Sequence, residues 1–223
     1  MIANKKEFGG GLAMMIGFWV VFAILLSPVF AGQNLLDYMD NMYNTISKNS
    51  SYYIPDAQEK AREYQGKNID LIIEGGERHA SLLRAAGMTV SGGADELAVS
   101  GDLGGMLAFL LVDADAMFAN NGEAVSSRYG QPEKQVLYDW WSILKSMEKS
   151  LTRQENFKES KLLYQVRTKS VEPAYNYYGI EAQSIRAKLT VVVLSLAGYV
   201  IYTMWFGFAI LFMFEGWGLK LEH

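Results

Sequence analysis

The chain reads as an all-α membrane protein, in which two transmembrane helices bracket a soluble antiparallel bundle of four helices. Three features carry that reading. Two long, uncharged apolar runs lie near the two ends of the 223 residues. The stretch between them is polar and of ordinary domain length. In that stretch proline is scarce, and no segment shows sustained strand-like alternation between hairpin turns.

The first run is charge-free from Phe8 to Leu36, and apolar residues dominate from Leu12 to Ala31. A helix rises about 1.5 Å per residue, so a run of about 20 residues crosses a hydrocarbon core of about 30 Å. Lys5, Lys6 and the small-residue site Val29-Phe30-Ala31 also fit a cleavable signal peptide. The run is, however, longer than the usual signal core of about 7–15 residues, which favours a retained anchor. Pro28 has no N–H to donate and is expected to kink or end the helix.

The second run, Leu189 to Phe214, is again free of charge and long enough to span. The expected division is a tail and first span over 1–36, a domain over 37–188, a second span over 189–216 and a short tail over 217–223. The ending "LKLEH" looks like the junction of a polyhistidine tag, so the last three residues are read as vector-derived. With two spans, both termini share one side. Lys5, Lys6 and Lys220 place them in the cytoplasm, with the domain outside a prokaryotic inner membrane. Arg186 and Lys188 argue the other way, but long loops translocate largely regardless of charge.

The middle region holds 17 of the 20 basic and 21 of the 24 acidic residues, with the signs interspersed. No basic stripe invites nucleic acid. The absence of cysteine excludes disulfides, thiolate metal sites and cysteine nucleophiles.

Taken in order, "DYMDNMYNTIS" is expected to continue the first span outward, until "KNSSYYIPD" breaks it. Pro55-Asp56 begins a second helix expected to run to Gly87, with Ile69, Ile72, Ile73, Leu82, Leu83 and Ala86 on its apolar face and Gly75-Gly76 as the place for a kink or a close helix contact. "MTVSGGADE" is read as a connection. A third helix, "LGGMLAFLLVDADAMFA", has an apolar run too short to span, so it is a core helix. After the link "NNGEAVSSRYGQPE", Val136, Trp140, Leu144, Met147 and Leu151 recur at steps of three and four, the mark of an amphipathic fourth helix. Pro173 marks a bend, beyond which "AYNYYGIEAQSIRAK" is expected to run straight into the second span.

Few residues suggest chemistry. "EGGERH" lacks the Glu-x-x-His of carboxylate-bridged metal bundles, and no such motif occurs in the chain, so no metal or other cofactor is expected. Asp113 and Asp115 are the candidate ligand-binding acids. Asp113 borders the apolar stripe of its helix, where an ionised carboxylate needs a partner; Arg84, His79 or a ligand amine could supply one. Tyr52, Tyr53, Tyr175, Tyr177 and Tyr178 form tyrosine-rich segments that suit either a cation-binding cage or the packing of bundle ends. In the spans, Gly17, Ser195, Gly198, Tyr202 and Thr203 are candidates for helix packing.

The span–domain–span layout resembles, in topology only, the input half of bacterial chemoreceptors and sensor kinases; no residue motif accompanies that likeness. The expected function is that of a non-enzymatic, double-anchored accessory or scaffolding subunit. Its partners are the lipid bilayer and either further copies of itself or another membrane protein. The alternatives are a sensory input module for a small molecule and, behind it, an oligomeric channel.

Overall fold

The computed structural model describes residues 2–93 and 95–219. The sequence expectations for the tag-like ending and for Lys220 lie outside the described residues. The chain is about 71% helical with few strands, and two of its helices are long and apolar enough to cross a membrane. It divides into two compact units, one made of residues 1–46 and 183–223, the other of residues 47–182.

In the first unit, α1 (Lys5–Leu25) is capped by Asn4, whose side chain accepts from the N–H groups of Lys6 and Glu7. It ends ahead of Pro28. A break over residues 26–34 follows, and α2 (Leu35–Ser50) starts as a separate helix rather than as an extension of the first. The last helix of the chain, Ile185–Trp217, is capped by Ser184. It pairs antiparallel with α1 through two glycines. A Cβ on Gly11 would lie 2.7 Å from the Met213 nitrogen, and one on Gly216 would fall still closer to the backbone of Phe8. Of the residues in the most apolar stretch of each helix, 6% are fully buried within the chain in α1 and none in the last helix. A soluble core helix of this composition would be mostly covered.

The second unit begins with α3 (Ile54–Glu63). The single helix expected from Pro55 to Gly87 is instead divided: after α3, β1 (Asn68–Glu74) precedes α4 (Glu77–Ala85). Ile69, Leu71 and Ile73 point inward and their neighbours outward, a period of two that only a strand provides. Exposed Ile72 disguised that pattern as a helical stripe. The presumed connection after Gly87 is a hairpin of β2 (Thr89–Gly92) and β3 (Glu96–Asp102), giving an antiparallel sheet of order β1-β3-β2. The all-helical expectation fails here.

Asp102 ends β3 and caps α5 (Leu103–Phe118), the buried core helix. The link after it contains a further helix, α6 (Gly122–Tyr129). Next come α7 (Glu133–Arg153) and α8 (Phe157–Val166). All five residues of the predicted stripe on α7 are buried, and Trp140 is fully covered. α5 packs against α3, α6 and α7, while α4 and α7 lie against the sheet.

A π-helical turn, Arg167–Val171, joins α8 to the short α9 (Glu172–Asn176). Pro173 cannot donate to a carbonyl one turn back, and the widened turn ahead of it absorbs the missing bond. Arg167 fixes this turn by binding Glu148 and Glu172. The chain then leaves helical geometry until Ser184, with Gly179 at φ +84°, so α10 (Ile185–Trp217) is not a continuation of the preceding segment.

Candidate functional site

A polar cluster that borders a cavity lies in the second unit, around Lys48. Its side chain is buried, and its ammonium donates to Asn120 Oδ1 (2.8 Å), the Ile180 carbonyl (2.6 Å) and the Tyr177 carbonyl (3.1 Å). All three donors are thereby used. Asn120 closes the circle, since its amide donates to the Ile180 carbonyl and to Glu181 Oε1, and its Oδ1 also accepts from Gly179 N–H. Burial pushes the Lys48 ammonium below the usual lysine range, and Glu181 opposes that shift.

Local structure explains the choice of Asn120. It follows α5 at φ +61°, a left-handed position where glycine is the default helix stop. Asparagine tolerates this conformation better than most residues. It also supplies the amide that the clasp needs.

Beside the clasp is a cavity of about 390 Å³, bordered by Lys48, Tyr52, Asp115, Phe118, Asn120 and Glu181 among others. Tyr52 donates to Asp115 Oδ1 at 2.7 Å and packs its ring against Phe118, at 5.2 Å between centroids. That hydrogen bond pushes the Tyr52 phenol above its usual range. Lys48 Nζ lies 5.1 Å from the centre of the same Phe118 ring. The site therefore offers two carboxylates, two aromatic rings and an amide around one opening, a combination suited to holding a polar or cationic group.

The structure brings Tyr52 and Asp115 together and disperses the other candidates. Asp113 faces away from this cavity. It is 1% exposed and bonded to Arg128 (2.5 Å), Tyr129 (2.5 Å) and Trp140 (3.2 Å). The expected partners Arg84 and His79 are engaged elsewhere, Arg84 with Glu77 and His79 beside buried Asp139 at 3.8 Å. Desolvation raises the Asp113 carboxyl, against the pull of its three donors. Tyr53 borders a smaller cavity of about 150 Å³ near Lys169. Tyr175 and Tyr178 flank Lys134, and Tyr177 packs on the core while its carbonyl serves the clasp. The two tyrosine-rich segments thus do not build one cage.

In the first unit, Gly17 meets the Trp205 ring, and Tyr202 stacks on Phe18 and donates to its carbonyl. Ser195 shares a hydrogen bond with Tyr43. Gly198 and Thr203 depart from expectation. Nothing lies within 4 Å of a Cβ on Gly198, and the Thr203 hydroxyl bonds only to its own helix. Both instead line an apolar groove of about 910 Å³ formed by α1, α2 and α10.

Sequence reasoning missed Lys48, Asn120 and Glu181, because no spacing signals contacts between residues 60–132 positions apart. Arg128 and Tyr129 carry no such signal either, because the glycines and serines of "NNGEAVSSRYGQPE" hide the short helix α6 that holds them. Among the described residues, no group of three or more His, Cys, Asp or Glu is placed to hold a metal ion. Comparison with protein-family models, with curated proteins and with solved structures finds no match.

Proposed function

We propose that the chain is a non-enzymatic, double-anchored membrane module of the sensory-input kind, in which a change at the Lys48 cavity is relayed to the helices that enter the bilayer. One observation carries this reading. Lys48 lies just inside the start of the second unit and Ile180 and Glu181 just inside its end, and Asn120 ties them together at the mouth of a cavity. A ligand competing for Asn120 or Glu181 would loosen the tie between the two chain crossings. In the first unit the same crossings meet again, where Gln183 N–H donates to the Thr45 carbonyl.

The cysteine-free chain suits paired spin labels. With labels at exposed positions 40 and 190 in nanodiscs, Lys48→Met is expected to shift or broaden the inter-label distance relative to the parent. An unchanged distribution would remove the relay.

Association as an accessory or scaffolding subunit is the second reading, favoured by the face of α10 that includes Val193, Val200, Met204 and Phe208. These residues point away from α1 by helical position and are 45–55% exposed. Mass measurement in mild detergent tests it, since a strict monomer with no bound partner would count against it.

A further inference from the structure

The groove in the first unit points to an occupant of its own. It is lined by both long helices and by the first turns of α2, and none of its lining residues carries an ionised side chain. Its hydroxyls are largely satisfied within the chain: Tyr43 with Ser195, Tyr202 with the Phe18 carbonyl, and Thr203 with its own helix. What remains inside is hydrocarbon, aromatic surface, the phenols of Tyr38 and Tyr199 and the open space over Gly198.

The groove is elongated. Along α10 the lining runs from Val191 to Phe206, roughly 22 Å at about 1.5 Å per residue. Spread over that length, the volume describes a slot at least twice as long as it is wide. A single acyl chain of one leaflet, about 15 Å deep in a core of about 30 Å, fits lengthwise.

Charge selects the headgroup. Lys188 precedes Val191 by three residues, on the helix face that continues through Ser195, Gly198 and Tyr202, so it stands one turn beyond the end of the groove. It is half-buried and forms no ion pair with any described residue. A cation at the mouth of a neutral hydrocarbon slot is complementary to an anionic amphiphile.

We infer that the groove holds one acyl chain of an anionic phospholipid from the surrounding bilayer, with the lipid phosphate paired to Lys188. The inference does not depend on the relay proposed above. The test is native mass spectrometry of the full chain in mild-detergent micelles doped with phosphatidylglycerol or phosphatidylcholine. The parent is expected to retain one phosphatidylglycerol per chain, preferred about fivefold over phosphatidylcholine, the discrimination expected of one interfacial cation. Gly198→Leu fills the slot and is expected to abolish retention. Leu194→Trp, at a lining position 65% exposed, fills it independently should the first variant fail to fold. Lys188→Gln is expected to leave retention in place and erase the headgroup preference. No retained lipid in the parent, unchanged retention in a folded slot-filling variant, or a preference that survives Lys188→Gln would each overturn the assignment. So would a dimer that either slot-filling variant converts to monomer, because the occupant would then be a second chain.

Discussion

Asp113 and His79 show how one buried unit handles two ionisable groups in opposite ways. Asp113 is surrounded by three donors in the interior, and removing it strands the indole N–H of Trp140 and unpairs Arg128. Asp113→Ala is therefore expected to lower unfolding free energy by about 3 kcal/mol, read by chemical denaturation in detergent. A loss below about 0.5 kcal/mol, the range of ordinary surface substitutions, would contradict the pairing. His79 accepts from Gly76 N–H through Nδ1, and burial holds its imidazole below the free value of 6.5. The native state then binds fewer protons than the unfolded chain around that pH. Its contribution is present above about pH 6.5 and is lost as pH falls through the native value. Stability should therefore begin to decline as pH falls below about 6.5, and His79→Gln should flatten that limb; an identical slope in the variant would exclude His79 as the source.

Among the elements, the α1–α10 pair depends on the absence of side chains at two points. Gly11 leaves room for the backbone of residues 209 and 213, which cannot move as a flexible side chain would. Gly11→Leu is expected to cost about 1–3 kcal/mol and to weaken a disulfide cross-link engineered between the two helices. Gly10→Leu is the control, since a Cβ there meets nothing within 4 Å. On α7, the fully buried ring of Trp140 predicts a loss of about 3–5 kcal/mol for Trp140→Ala. The amphipathic period of α7 was legible in the sequence because 21 residues repeat it over nearly six turns. β1 was not, because seven residues with an apolar residue at an outward position mimic a helical stripe. The hairpin of β2 and β3 was hidden by glycines that signal a turn without saying what they join.

For the whole molecule, the division into two units predicts different solvent requirements. The unit of residues 47–182 has its own continuous apolar core, including Leu107, Leu111, Trp140 and Leu144. Expressed alone, it is expected to remain monodisperse in buffer without detergent. The full chain is expected to need an amphiphile, because Leu194, Tyr199 and Ile201 are each more than 60% exposed on a helix with little polar surface. Sedimentation of both preparations checks this, and a full chain monodisperse in plain buffer would refute the membrane reading.

The amino-acid order alone determined the two spanning-length helices, the polar region between them and the buried faces of α5 and α7. These follow from local periodicity and from the length that a hydrocarbon core demands. Folding decided who meets whom. It gave Asp113 to Arg128 rather than Arg84, joined Lys48 to carbonyls 129 and 132 residues away, and turned Gly198 from a packing contact into open space. Such pairings depend on how elements are placed in three dimensions, and hydrophobic periodicity along one dimension holds no record of that.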